Sequence, residues 1–420
     1  MRLKGYLFAF FVTAIIFQTS NAVAENWGHW RGPTGNGTAP NAKPPIVFDS
    51  TKNVRWKVPI AGRGSGSPIV WQQQVFVVTA VPSKQANAFA FQLLCFDRGT
   101  GTNLWTKTAV EAKPHEGTHQ TNGYASASPC TDGEHVYASF GSRGLYCYTM
   151  QGDLVWQKDF GDLQIRNGFG EGSSPTIADD LIIVPWDHEQ GSKLFALDKR
   201  TGKIVWETAR NEETSCWSTP HIATDSTGRK QIVMNGQTAF RGYYLKTGKE
   251  LWKCAGVAQR PCSSAVSMDG IAIVGGGFKG YLMGAFDMTG KGNLENTKHM
   301  LWSLTKDTPD VASPLLSDGR LYFYKEKTGA LTCMEAKTGK TNYAVQRIPE
   351  IRQTYASPVA AGGHVYLTSR EGMIVVIKDS PKFEVVATNN MGEGVDATPA
   401  FADNEMFIRG ESTLFCLASK

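Results

Sequence analysis

Apolar and polar residues alternate along this chain in short runs, and no apolar stretch with a 3.6-residue period follows residue 17. Alternation with a period of two marks half-buried strands, and Gly- or Asp-containing breaks between the runs mark tight turns. Within one stretch the runs predict strands over 174–178, 181–185, 193–198 and 203–207. Asp-Gly pairs such as Asp132-Gly133, Asp269-Gly270 and Asp318-Gly319 join first to second strands, and Thr-Gly pairs join third to fourth. With 44 Gly and 19 Pro, the chain has little room for long helices.

The four-strand pattern recurs. A Ser or Thr, usually followed by Pro, opens each unit: Ser67, Ser128, Ser174, Thr219, Ser264, Ser313, Ser357 and Thr398, at intervals of 41 to 61 residues. A clause Ala-x-Asp-x-x-Thr-Gly-x-x-x-Trp closes the third and fourth strands, cleanly at Ala196–Trp206 and with variants ending at Trp105 and Tyr343. Shorter relatives end at Trp156 and Trp252. Repeats of this length, each four strands, predict the blades of a β-propeller. The eighth unit lacks its fourth strand, and residues 53–60, with Trp56 in the clause's last position, can supply it. The predicted fold is therefore all-β: an eight-bladed propeller over 53–420, closed by an N-terminal strand that completes the last blade. Each Trp is expected to pack between neighbouring blades, and Gly to take the positive-φ corner of its turn.

The first 24 residues read as a cleavable export leader: Arg2 and Lys4, an apolar run to Phe17, and a small-residue end at Ala22–Ala24. That run is shorter than the roughly 18–20 residues a membrane span needs. Retention as an anchor is the alternative reading. Residues 25–52 form an N-terminal extension. A soluble, exported monomer, periplasmic or extracellular, is expected. Losing Arg2 and Lys4 lowers the formal net charge from +5 to +3, too little to recruit nucleic acid. Of eight cysteines, Cys95, Cys147, Cys333 and Cys416 occupy equivalent positions of different repeats and read as buried apolar residues. Cys130, Cys216, Cys254 and Cys262 remain free to pair, with Cys254–Cys262 first among the pairings.

The clause at Ala196–Trp206 resembles the tryptophan-docking motif of the pyrroloquinoline-quinone (PQQ) propeller family, and the resemblance spans the whole chain after the leader. It implies either of two functions. Quinoprotein dehydrogenases of that family hold PQQ and Ca²⁺ at the propeller centre. Non-catalytic relatives, such as the outer-membrane β-barrel assembly lipoprotein, use the ring to bind proteins. This chain has no adjacent Cys-Cys pair, no Cys-x-x-Cys-His and no long insertions, which departs from the dehydrogenase pattern. The first expectation is thus a non-catalytic scaffold binding an envelope protein or extended polar ligand, with carbohydrate as a further ligand class. The alternative is a PQQ- and Ca²⁺-dependent dehydrogenase of alcohols or sugars. In that reading Asn122, Glu171 and Asp310 would be oxygen ligands for Ca²⁺, and Trp217 would lie beneath the quinone.

Loop length locates the working face, because long loops on a rigid ring carry binding residues. The interblade segments are the long ones, and they bring Tyr124, Glu171, Trp217, Arg260, Asp310, Tyr355 and Asp396 to one mouth of the channel, with His119, Asn122, Arg166 and Asn167 further out. Charges of both signs beside aromatic planes suit a polar small molecule or a peptide segment; their mutual satisfaction is the competing reading. His115–His119 spells His-Glu-x-x-His, but zinc chemistry needs that motif on a helix, and Pro114, Gly117 and Thr118 predict a loop. Asp187-His188-Glu189 reads as a solvated loop on the same rim, and Gly275–Gly277 as a loop that opens no helix.

Overall fold

A computed structural model describes residues 26–419 other than 257, 280 and 281, so the proposed leader lies outside the described residues. Eight antiparallel sheets form the ring. Blades 1 to 8 begin at the innermost strands Ile69–Trp71, Cys130–Thr131, Thr176–Ala178, His221–Thr224, Val266–Met268, Leu315–Ser317, Val359–Ala361 and Ala400–Ala402. Blade 8 takes its outer strand from Val54–Pro59, which pairs antiparallel with Thr413–Ala418 and sets Trp56 opposite Cys416. The ring therefore closes as the repeats predict, leaving no blade short of a strand. A buried polar seam reinforces the joint: Arg98 of blade 1 donates to Glu405 (2.5 Å), to Asp403 (2.8 Å) and to the Ala402 carbonyl (3.0 Å) of blade 8.

The docking clause works as a two-part latch. The indole N–H of one blade donates to a turn carbonyl of the next: Trp56 to Arg98, Trp105 to Met150, Trp156 to Lys199, Trp206 to Leu245 and Trp302 to Ala336, at 2.7–3.2 Å. The turn glycine then lies on the ring face. A Cβ at Gly101 or Gly202 would sit 2.7 Å from Trp56 or Trp156, and φ is +74° and +68° there, so conformation and contact both demand Gly.

Where the clause lapses, other groups hold the blades. Trp252 is fully buried between blades 4 and 5, where it stacks on Phe286 (5.7 Å), but it donates to Gln231 (2.8 Å) in place of a turn carbonyl, and the Gln231 amide relays to the Met288 carbonyl of blade 5 (2.8 Å). A short strand, Gly292–Asn293, then adds in parallel outside it. Between blades 6 and 7, Asp379 accepts from Tyr322 (2.7 Å) and Arg320 (2.9 Å). Near blades 7 and 8, Ala42 and Phe48 of the extension enter the core, and the Phe48 N–H donates to Asn389 (2.9 Å).

The Ser/Thr markers do more than open strands. Each lies just before its innermost strand, and its backbone N–H donates to the hydroxyl of the next marker, from Ser67 through Ser128, Ser174, Thr219, Ser264, Ser313 and Ser357 to Thr398, at 2.8–3.2 Å. This belt lines the central channel with satisfied polar groups. The strand in blade 3 accordingly starts at Thr176 rather than at Ser174.

All eight cysteines are free thiols, so the Cys254–Cys262 pairing does not form. Cys254 lies in the outer strand of blade 4, whereas Cys262 lies in the interblade segment leading to blade 5. Burial pushes the Cys254 thiol up to about 11. Among the described residues no helix is long and apolar enough to cross a membrane.

Candidate functional site

The extension closes one end of the channel. Trp27 pairs with Val70 of blade 1, the Gly28 carbonyl accepts from Thr131 of blade 2 (2.7 Å), and Asn36 exchanges hydrogen bonds with Ser267 of blade 5 (2.9 and 3.0 Å). The Gly37 carbonyl then accepts from Ala360 of blade 7 (2.9 Å), and Thr38–Ala39 runs parallel to that blade's innermost strand. The segment thus crosses the ring on the side of the Asp-Gly turns. Trp30 lines both the central funnel above it and a cavity of about 540 Å³ below it, so its side chain forms part of a floor. The stretch is predicted only as an extension; of its two tryptophans Trp30 lies two residues before the Gly32-Pro33 pair, and neither belongs to a repeat.

Beneath that floor His221 is buried, 2.8 Å from the Ser267 hydroxyl. Burial, and then the charges of Arg31 and His29, hold it down at about 3 against its ordinary 6.5. The unfolded chain therefore binds a proton that the folded one refuses between those values. Stability is full above 6.5 and falls as pH drops toward 3. At pH 5 His221 alone is expected to cost about 2 kcal/mol relative to pH 7. Unfolding midpoints at both pH values check this; a His221→Gln variant with an undiminished difference assigns the effect elsewhere.

The funnel above the floor is a cup of about 260 Å³. Its wall includes His119, Asn122, Glu171, Trp217, Arg260, Tyr355 and Asp396, together with Trp30, Thr121, Phe169 and Lys327, which the sequence reading misses. Phe169 sits in a glycine-rich loop and Lys327 in a turn between strands, neither in the register used to find mouth residues. The other four candidates lie off the wall. Asp310 is buried behind Arg260 and accepts from it at 2.7 and 3.0 Å. Tyr124 packs on Phe89 (4.9 Å) and faces a neighbouring cleft. Arg166 bridges the Gln259 carbonyl (3.0 Å) and Glu189 (3.2 Å), while Asn167 is exposed in a left-handed turn.

The wall groups are largely engaged with one another. Arg370 clamps Asp396 through two bonds (2.7 and 3.0 Å) and stacks on Tyr355 at 4.1 Å. The Tyr355 hydroxyl meets Thr121 at 3.0 Å, and Thr121 meets His119 Nδ1 at 2.8 Å. These contacts join the segment before blade 8, blade 7 and the segments before blades 7 and 2, so the 115–122 loop leans over the mouth. Trp217 donates to the Gly170 carbonyl (2.7 Å). Lys327, 3.9 Å from Asp310 and 6.0 Å from the Tyr355 ring, is the more loosely held cation.

The donor set does not fit PQQ with Ca²⁺. Asn122 Oδ1 already accepts from Gly123 (2.8 Å) and Ser126 (2.6 Å). Glu171 turns away to Ser142, accepting at 2.8 and 2.5 Å, and burial pushes its carboxyl up. Asp310 is committed to Arg260. A hard cation needs six or more converging oxygens, and these three residues face three different partners. Among the described residues the one metal-like cluster, Asp132, Glu134 and His135, lies at an Asp-Gly turn instead. The His-Glu-x-x-His segment is loop: His115 bonds the Leu163 carbonyl (2.7 Å) and lines the cleft, whereas His119 lines the funnel.

Asp187-His188-Glu189 is not the solvated loop expected. Asp187 and His188 are buried, and Asp187 takes both arms of Arg210 at 2.8 and 2.9 Å. Glu189 accepts from Ser215 (2.8 Å). The run is structural because Arg210, twenty-three residues on, supplies a countercharge that local patterning does not reveal.

Eight four-stranded blades latched by Trp, with a polar cup at the centre, define a PQQ-like propeller. The chain belongs to the family described as outer membrane protein assembly factor BamB, whose profile matches residues 90–345. Similar solved structures include the quinohemoprotein alcohol dehydrogenase from Comamonas testosteroni (11% identity, TM-score 0.64, 94% of this chain and 80% of that one). A europium-containing methanol dehydrogenase (11%, 0.53, 94% and 98%) and the computationally designed Ika8 protein (13%, 0.56, 86% and 100%) are also similar. At these identities the likeness concerns the fold. No curated protein matches the sequence.

Proposed function

We propose that this protein is an exported, non-catalytic propeller scaffold that holds a segment of an envelope protein, or another extended polar ligand, in its cup through the interblade rim. The observation that carries the reading is a cup floored by Trp30 whose wall residues Arg260 and Asp396 are already ion-paired to neighbouring segments of the rim. Paired charges and stacked aromatics recognise shape and polarity; a reactive centre needs a group left poised for chemistry. The family's name, outer membrane protein assembly factor, agrees with a protein partner in the envelope.

The test is photo-crosslinking from a probe at Asn167, on the exposed rim, in living cells. One specific adduct is expected, reduced at least about fivefold by Lys327→Glu and by Tyr355→Ala, both checked for unchanged melting. Equal crosslinking by all variants would show that the partner does not engage the cup. Added PQQ and Ca²⁺ are expected to leave absorbance and melting unchanged; a quinone band that survives gel filtration would overturn the non-catalytic reading.

A further inference from the structure

The cavity of about 540 Å³ beneath the floor has twice the volume of the cup and falls within the roughly 300–1,000 Å³ of ligand sites. The crossing segment walls it on one side and blades 1 to 4 on the other. Pro33 and Thr34 of that segment are exposed, so the cavity opens to solvent beside them.

Two half-buried tryptophans line it, Trp30 from the segment and Trp71 from the end of the innermost strand of blade 1. Each latch indole donates to a neighbouring blade. The indole nitrogens of Trp30 and Trp71 meet no acceptor among the described residues, and, unlike that of Trp27, neither is sealed from solvent. Glycine keeps Trp71 accessible. A Cβ at Gly28 would lie 2.8 Å from its ring, and one at Gly133 would press on the indole nitrogen itself.

The oxygens on the wall are mostly spent. Asn26 Oδ1 accepts from the Gln72 N–H (2.7 Å), which leaves the Asn26 amide hydrogens. Asp132 accepts from the N–H groups of Glu134 (3.0 Å) and His135 (2.9 Å) and pairs with Lys199 (3.1 Å). Thr131 and Thr176 turn their hydroxyls to the carbonyls of His135 (2.6 Å) and Pro220 (2.9 Å). Burial keeps His29 and His221 neutral at neutral pH. What remains is a set of N–H donors beside indole and proline surfaces, without an unpaired charge.

That set selects a ligand rich in acceptors and poor in donors. A saccharide brings an O–H with nearly every oxygen and asks for carboxylate or amide oxygens in return, and here those are occupied. A charged ligand finds no countercharge. Proline lacks an N–H, and a polyproline II chain has no internal hydrogen bonds, so its carbonyls stay free to accept while its rings pack on aromatic surfaces.

We propose that this lower cavity binds a proline-rich, extended segment of a partner protein, with Trp30 and Trp71 as packing surfaces and their indole N–H groups, together with the Asn26 amide, donating to its carbonyls. The site lies on the far side of the floor from the cup and does not depend on what the cup binds.

An acetylated oligoproline amide is the probe, titrated into protein labelled with nitrogen-15 in its tryptophans. It is expected to shift the indole resonances of Trp30 and Trp71, assigned from Trp30→Phe and Trp71→Phe, and to leave that of Trp217 in place. Trp71→Phe keeps a ring and loses the donor, and Asn26→Asp keeps the oxygen that serves Gln72 and loses the amide hydrogens. Each should weaken binding at least about fivefold, the worth of one neutral hydrogen bond. If either variant melts lower than the parent, the resonances of the parent still decide. A glycine-serine peptide of equal length should move neither indole. No shift of either indole up to the solubility limit of oligoproline, or undiminished affinity in both variants, would overturn the site. A shift of Trp217 without Trp71 would put the peptide in the cup, and maltotriose acting at lower concentration than oligoproline would give the cavity to a saccharide; both outcomes also overturn it. Crosslinking that depends on Lys327 and Tyr355 reads the cup alone, so either site can fail while the other stands.

Discussion

Trp56→Ala is expected to lower the unfolding free energy by about 3–5 kcal/mol, the range for removing a large aromatic side chain from a core. Trp56 is buried, rests against Gly101, packs on Phe407 at 6.0 Å and donates to the Arg98 carbonyl at 2.7 Å. Truncation opens a void between two sheets and strips that carbonyl of its donor. The site also differs from the other latches in topology. Trp156 joins blades that are consecutive in the chain, so connectivity keeps them adjacent after the latch is lost. Trp56 sits on the strand that residues 60–68 tie covalently to blade 1, whereas only non-covalent pairing with Thr413–Ala418 holds the rest of blade 8 to that strand. Trp56→Ala should therefore cost more than Trp156→Ala, and protease should cut first within 54–59. Urea unfolding of the two variants decides it: an equal or larger loss for Trp156→Ala would mean that closure adds nothing to the packing energy.

The ring was legible because its signals are local and repeated. Thr-Gly at the turn and Trp four residues later need no distant partner to be recognised, and period-two alternation fixes which strand face is buried. The exceptions mark what local pattern cannot carry. Trp252 packs against the next blade like the other latch residues, yet its indole donates to Gln231, in another strand, in place of a turn carbonyl. The floor was hidden for a related reason. Trp27 and Trp30 meet partners on blades that lie far away in sequence, and no period predicts such contacts.

The cup was legible in part. Counting back from each innermost strand finds residues that approach the channel, and seven of those named line it, His119, Asn122, Glu171, Trp217, Arg260, Tyr355 and Asp396. Position relative to a strand does not say where a long side chain points. Asp310 turns behind Arg260, and Glu171 reaches its wall while sending its carboxylate to Ser142.

Asp187→Ala is expected to cost about 3–5 kcal/mol, although the fold loses only a short side chain, because Arg210 is left charged and buried. Both side chains are 1% exposed, and two parallel bonds join them. Arg210 also donates to the Tyr243 hydroxyl, and its backbone fixes Ser192 and Glu213, so its displacement would spread into blade 4. The double variant Asp187→Leu/Arg210→Met removes both charges and should recover most of the loss. A cycle of the two single variants and the double measures this by denaturant midpoint; a loss below about 1 kcal/mol for Asp187→Ala would show that water reaches Arg210 and that the pair is not desolvated. The consequence extends to the rim. His188 Nδ1 accepts from the Gln164 N–H (3.1 Å), and Glu189 holds both Ser215 and Arg166, so this run anchors the two loops that carry Glu171 and Trp217 to the cup. Asp187→Ala should accordingly weaken rim crosslinking more than its distance from the cup suggests, and the double variant, which restores packing without restoring the charge pair, should bring crosslinking back along with stability.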